Sequence, residues 1–228
     1  MSAAGTTTTP TTLFARASEL VDELFNEIVT PQFYTIEAAV KGQRGQPLPY
    51  LKVASQLTRE FGFKTIVEIG SMRSVMKHGL DEIDPACCNE GHSTLFFAET
   101  GAETFTVDVN PRCADVLVSW TRKYRNLHVH TADGIWFLKK FDRPIDFLYL
   151  DAWDVMPTLD YAEKHRDAYR AALPHLAPTC LILVDDTDIM NGGKGRLAIP
   201  QMIRDGFELV TWGRQAMLAR GGRPSDGT

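Results

Sequence analysis

The sequence predicts an α/β fold built on a doubly wound, mostly parallel sheet. Three observations carry that expectation. Apolar runs of strand length alternate with segments of helical periodicity over most of the chain, as in a parallel sheet covered by helices. Acidic residues recur where the apolar runs end: Asp108, Asp133, Asp151, Asp185 and Asp186. The chain then closes on two strands with no helix between them, which suggests an antiparallel edge hairpin.

The elements follow in order. Residues 13–29 place Leu13, Ala17, Leu20, Val21, Leu24 and Ile28 at i, i+3, i+4 spacing, an amphipathic helix. Its apolar face can pack on the domain, on a second subunit as a dimer, or over a substrate. Residues 41–50 are rich in turn formers, and Leu51–Phe61 reads as a second helix. Together 13–62 form N-terminal helices, and 63–221 form the main domain. Strands are expected at Thr65–Ile69, Glu103–Val109, Leu127–Thr131, Ile145–Leu150 and Cys180–Val184. Helices are expected from near Ser93, then at Cys113–Tyr124, Gly134–Lys140, Tyr161–Leu176 and Ile199–Asp205. The closing strands are Phe207–Trp212 and Gln215–Arg220.

The totals limit the partners. The chain has 228 residues, a net charge of −5, 44% hydrophobic and 23% charged residues. That suits one domain and weighs against nucleic acid or an anionic membrane, which need a basic face. No apolar run reaches the roughly 18–20 residues of a membrane span. Residues 1–12 lack the basic and apolar regions of a secretory signal and read as a flexible tail, as do 222–228. The adjacent Cys87 and Cys88, with Cys113 and Cys180, show no metal spacing and fit reduced thiols in the cytoplasm.

The stretch VEIGSMRSVMKHGLDEIDPACCNEGHST (67–94) carries the most information. A strand runs into Gly70, as in a nucleotide-binding turn, but the helix waits for Gly91, His92 and Ser93. Dinucleotide folds place an acid roughly 20 residues past the glycine turn, where it binds ribose hydroxyls. Here Asp108 lies 38 positions after Gly70, and a compact turn would put its second glycine 18 positions before Gly91. Removing that excess restores the usual spacing. The motif is therefore whole, with an insertion at about 72–90. The insertion has an apolar side (Met72, Val75, Met76, Leu80, Ile83) and a polar one (Arg73, Lys77, His78); it reads as a flap, with a decorated surface loop as the plainer alternative. Glu68 and Asp108 are nucleoside-side acids, so a nucleoside bearing a cation fits better than one bearing pyrophosphate. There is no G-x-G-x-x-G for a nicotinamide dehydrogenase and no phosphate-binding G-x-x-x-x-G-K-[ST].

Taken in order, VEIGS…GHST, FTVDVN, TADG, DFLYLDAWD and LILVDD resemble a class I S-adenosylmethionine-dependent methyltransferase over about residues 60–220. The resemblance implies a Rossmann-like, seven-stranded sheet with its last strand antiparallel. It implies cofactor contacts from Glu68, Gly70, Ser71, Gly91 and Ser93 near the methionine part, from Asp108 and Val109 at the ribose, and from Ala132 and Asp133 near the adenine. Asp151 and Trp153 complete that set. The pattern is most similar to metal-dependent O-methyltransferases, the catechol and macrocin-type sugar enzymes. In those, positions matching Asp151, Asp185 and Asp186 hold Mg²⁺ or another divalent cation. Three crowded carboxylates repel one another, and a hard cation would relieve them and lower the pKa of a substrate hydroxyl.

One position departs from the catechol pattern. Asp154 follows Trp153 where those enzymes carry a catalytic lysine. Candidates for the base are Asp151, Asp154, His92 and His78. Lys194, in NGGKGR, is a possible pocket residue, but the glycines around it read more simply as a flexible surface loop. The expected activity is cation-assisted O-methylation of a small molecule of sugar, phenol or natural-product type, in secondary metabolism, by a cytoplasmic homodimer. Metal-free N-methylation and a non-catalytic cofactor-binding subunit are the alternatives.

Overall fold

The computed structural model describes residues 12–24, 35, 45–73 and 92–222. Its strands are β1 (Thr65–Ile69), β2 (Glu103–Asp108), β3 (Leu127–Thr131), β4 (Ile145–Leu150), β5 (Leu176–Val184), β6 (Glu208–Trp212) and β7 (Ala216–Arg220). They form one sheet in the order β3-β2-β1-β4-β5-β7-β6. Neighbours from β3 to β5 pair in parallel, and β7 is antiparallel to both β5 and β6. The doubly wound sheet with an antiparallel last strand is thus the one expected.

The helices are α1 (Leu13–Leu24), α2 (Leu48–Phe61), α3 (Ser93–Ala98), α4 (Pro111–Leu117), α5 (Trp120–Lys123), α6 (Gly134–Lys140), α7 (Tyr161–Ala172) and α8 (Ala198–Arg204). The central strands β4 and β5 read as near-continuous apolar runs because both faces are covered. Successive side chains alternate between two cores. Ile66, Phe147, Tyr149, Leu181 and Leu183 pack with residues of α1, α2 and α3. Val67, Ile69, Leu148, Leu150, Ile182 and Val184 pack with residues of α6, α7 and α8. The apolar face of α1 is used within its own chain: Leu13, Ala17, Leu20 and Val21 are buried in the first of these cores. Arg16 holds the outer side of α1 to α2 through Glu60, at 2.8 and 3.0 Å.

The second helix begins at Leu48, three residues early, several other ends shift by one or two residues, and three differences are larger. The single helix expected at 113–124 is two short helices, α4 and α5. The helix expected to reach Leu176 ends at Ala172 and passes through a 3-10 turn, Leu173–His175. β5 begins at Leu176 rather than Cys180 and so contains Pro178, which cannot donate a ladder hydrogen bond. The register between β4 and β5 shifts between Ile145 and Phe147, and that irregularity takes up the proline. Residues 25–29 of the first expected helix lie outside the described residues, as do 74–90 of the insertion, with His78, and Gly91 after it.

The strand order places the site. The chain leaves β1 toward β2 and β3 on one side, and β4 and β5 fill the other. The crevice at the carboxyl ends of β1 and β4 is where such sheets bind ligands.

Candidate active site

The carboxyl ends of the central strands are stitched together one residue beyond the ladder. Gly70 N–H donates to Val107 O (2.9 Å), Asp151 N–H to Ile69 O (2.8 Å) and Asp185 N–H to Leu150 O (3.0 Å). The acids after the strands are therefore fixed to the sheet, not carried on loose loops. A cavity of about 260 Å³ opens over this edge, lined by Gly70, Ser71, Arg73, Asp108, Val109, Ala132, Gly134, Asp151, Trp153 and Asp154, among others.

Gly70 makes the close approach possible. Its φ is +97°, and a Cβ there would lie 2.6 Å from the carbonyl oxygen of Asp151. Both facts exclude a side chain. Gly70→Ala is expected to cost about 2–3 kcal/mol of stability and to narrow the cavity. Chemical denaturation followed by calorimetry with S-adenosylmethionine checks both effects; unchanged values would remove Gly70 from its assigned place.

The expected cofactor residues fall into two groups. Gly70, Ser71, Asp108, Val109, Ala132, Asp151 and Trp153 line the cavity. Asp108 accepts from the backbone N–H of Ser71 (3.2 Å) and of Asn110 (2.8 Å), so it braces the glycine turn while facing the cavity. Glu68, Ser93 and Asp133 do not line it. Asp133 caps α6 by accepting from Trp136 N–H at 2.8 Å. Glu68 is fully buried and accepts from the hydroxyls of Ser93 (2.6 Å), Thr94 (2.5 Å) and Thr106 (2.6 Å). It ties the strand before the insertion to the helix after it. Burial pushes its carboxyl up to about 8, against the pull of those three hydroxyls.

The proposed bases also separate. His92 is buried at the start of α3, away from the cavity lining. Asp154 is exposed at the mouth and pairs with Arg73 at 3.5 Å. Asp151 lies on the cavity wall and belongs to a larger cluster. Trp153 has φ +49° and sets its ring edge-on to His165, with centroids 5.2 Å apart.

Asp151, Asp185 and Asp186 do converge: each offers an oxygen within 4.8 Å of the others. Two cations converge on them. Lys194 Nζ lies 2.6 Å from Asp151 Oδ1 and 3.0 Å from Asp186 Oδ2. Arg214 pairs with Asp186 Oδ1 and, at 3.2 Å, with Asp185 Oδ2. Gln215 Nε2 donates to Asp185 Oδ1 (2.8 Å) and to Tyr149 Oη (2.9 Å), and Tyr149 O–H reaches Asp151 Oδ2 at 3.4 Å. All six carboxylate oxygens thus face a protein donor. Burial pushes Asp185 up to about 7 while Arg214 pulls the other way. Burial opposes the charge on Lys194, but Asp151, Asp186 and Asp185 override it and raise its pKa.

The surface-loop reading of Lys194 is corrected here: the side chain is 1% exposed. Its glycines serve close packing, not flexibility. A Cβ on Gly193 would overlap Asp186 O, and one on Gly195 would overlap Ile199. Lys194 N–H also donates to Asp186 O at 3.2 Å, which roots the turn. Arg214 and Gln215 were not anticipated. They sit in the β6–β7 turn, which the antiparallel register Val184↔Ala216 brings to the carboxyl end of β5.

The donor set has the chemistry for a divalent cation, but the site as built does not fit one. A metal would have to displace a buried ammonium or guanidinium from oxygens those groups already hold.

No protein-family model matches the chain, and no curated protein matches it. Solved structures do. The chain is similar to the O-methyltransferase TomG from Streptomyces achromogenes, involved in tomaymycin synthesis and solved with SAM (13% identity, 95% of this chain and 92% of that chain, TM-score 0.52). It is similar to an O-methyltransferase from Bacillus cereus solved with SAH (14%, 90% of each chain, TM-score 0.50). It is also similar to cofactor-bound Rv0187 from MTB (14%, 91% of this chain and 89% of that chain, TM-score 0.54). At these identities the likeness is one of fold.

Proposed function

We propose that this chain is an enzyme that transfers a methyl group from S-adenosylmethionine to an oxygen of a small molecule. The observation that carries the reading is the cavity at the reversal of strand order. Gly70 lets the backbone close against Asp151 there, and Asp108 supplies an acceptor for ribose hydroxyls. That TomG and the Bacillus cereus protein are O-methyltransferases supports oxygen over nitrogen as the acceptor, and the part of TomG in tomaymycin synthesis supports a natural-product substrate.

When bound, S-adenosylmethionine supplies an electrophilic methyl group on a sulfonium. The chain's own residues then position and hold. Asp108 receives the ribose, and Val109 and Ala132 lie along the wall where the resemblance sets the ribose and adenine. Gly70 and Ser71 leave room for the methionine end beside Asp151. Carboxylates on that wall favour a cation over a phosphate. Asp151, fixed by its neighbours, is the acceptor for the proton of the attacking hydroxyl, and Asp154 with Arg73 forms the rim. Positioning of this kind supplies most of the rate in an in-line displacement. The reading assigns no step to a divalent cation, because the oxygens that would bind one are already engaged.

Calorimetry with S-adenosylmethionine and S-adenosylhomocysteine tests the first half. Asp108→Ala is expected to weaken both by about tenfold or more. Mass spectrometry of products from a hydroxyl-bearing panel tests the second half. Absence of cofactor binding by the wild type would end the reading, and an N-methyl product would redirect it to the amine alternative.

A further inference from the structure

We infer that Lys194 is the resident cation of this site, filling with its ammonium the place that a divalent metal takes in a carboxylate triad. The inference rests on the methyltransferase reading and says how its reacting end is organised.

The geometry is that of a completed coordination shell. An ammonium has three N–H donors. Lys194 Nζ has three oxygens within reach: Asp151 Oδ1 at 2.6 Å, Asp186 Oδ2 at 3.0 Å and Asp151 O at 3.3 Å. A solvent-facing lysine spends its donors on water, whereas this one is 1% exposed. The backbone has been shaped to deliver it. Gly193 and Gly195 pack where no side chain fits, and Asp186 itself adopts φ +51°. A non-glycine residue holds that conformation only where its surroundings fix it.

The charges support the same assignment. Asp151, Asp185 and Asp186 can carry at most three negative charges, and Lys194 and Arg214 return two positive ones, so at most one net negative charge remains for a metal. A dication added to that set would stand within a few ångströms of two buried cations. Removing Lys194 would free two carboxylate oxygens and leave a set of hard donors suited to a divalent ion.

Lys194 also has a positioning role. It holds both the carboxylate and the carbonyl of Asp151, and that carbonyl is the group Gly70 packs against. Lys194 therefore fixes the cavity wall at the point where cofactor and acceptor meet. It is a positioning residue, not one that touches the reacting atoms.

The test is Mn²⁺ binding by the full chain, read by electron paramagnetic resonance, with cofactor binding measured by calorimetry in the same samples. The wild type is expected to leave Mn²⁺ free, and to bind S-adenosylhomocysteine equally with and without a chelator. Lys194→Ala is expected to gain Mn²⁺ affinity by about tenfold or more, and Lys194→Ala/Asp186→Asn to lose that gain. Stoichiometric Mn²⁺ binding by the wild type, abolished in Asp186→Asn, would overturn the inference. So would a folded Lys194→Ala with no gain. The wild-type measurement decides the matter even if the variant does not fold. Failure to bind S-adenosylhomocysteine counts against the methyltransferase reading instead, and leaves the Mn²⁺ result standing.

Discussion

Replacing Arg214 by methionine is expected to lower folding stability by about 3–5 kcal/mol, the usual cost of breaking a buried ion pair from one side. The guanidinium is 6% exposed and serves two carboxylates, Asp185 and Asp186. Methionine keeps much of the aliphatic stem, so the loss reports the charge and its hydrogen bonds rather than a cavity. It leaves Asp185 in a buried site facing the Gln215 amide, and takes one of the two paired cations from Asp186, whose pair with Lys194 remains. Asp185 is already held up near 7 by burial, with Arg214 as the opposing pull. Without that pull it should be neutral at pH 7. Adding Asp185→Asn to Arg214→Met should recover part of the loss, because a neutral amide replaces a buried carboxyl that must otherwise take up a proton. Urea denaturation of the wild type, the two single variants and the double variant gives the cycle. A loss below about 1 kcal/mol for Arg214→Met would place the arginine among exposed pairs of little worth, contrary to its burial.

The same cluster shows what the sequence could and could not convey. The acids were legible, because a carboxylate at the end of an apolar strand needs a partner and five fall at one edge; it was the resemblance that singled out Asp151, Asp185 and Asp186 among them. The identity of the partners was not. Lys194 sits between glycines, and on a one-dimensional reading that is what a solvent loop looks like. Only the packing of Gly193 against Asp186 O and of Gly195 against Ile199 shows that the turn folds inward. Arg214 and Gln215 lie in a hairpin turn. Their arrival beside Asp185 depends on which strand β7 pairs with and in which register, information that local periodicity does not hold. A cation and an amide together at the tip of the closing hairpin were the available signal.

The alternation of elements was read correctly because both periods, two and 3.6, are set by local geometry. The misplaced ends were those decided by tertiary contacts. β5 extends through Pro178 because a register irregularity against β4 absorbs it. Counting to Asp108 reads the interrupted glycine motif as whole, and the described residues add one contact across it. Asp108 reaches back to the N–H of Ser71, so the turn and the acid hold each other across the strands. The acids also divide by role: Asp133 caps a helix, Asp108 braces a turn, and the remaining three enter an ion-pair cluster.

Glu68 makes the second large effect, and its sign with pH follows from its burial. Glu68→Ala is expected to cost about 3–5 kcal/mol, since it opens a space and removes an acceptor shared by three buried hydroxyls, of which Thr106 keeps Ser71 Oγ at 2.9 Å. Ser93 and Thr94 stand on α3, while Glu68 and Thr106 stand on β1 and β2. The loss therefore falls on the joint between the strand that ends at Gly70 and the helix that follows the insertion. Glu68→Gln keeps the shape and one acceptor oxygen and should cost less. Its informative difference is with pH. The folded carboxyl is pushed up to about 8 from an ordinary value of 4.5. The folded state therefore holds this proton more tightly than the unfolded chain. The stabilisation from that proton is fully present below about pH 4.5 and is lost as the pH rises toward about 8, at up to about 1.4 kcal/mol per unit. Glutamine carries no proton to lose. The gap in stability between wild type and Glu68→Gln should thus change in favour of the variant from pH 5 to pH 8, as measured by thermal denaturation at matched ionic strength. A gap that moves the other way would mean that the three hydroxyls outweigh burial and hold Glu68 ionised. The joint would then be a charged hydrogen-bond centre, and Glu68→Gln should weaken cofactor binding through Gly70 as much as it weakens the fold.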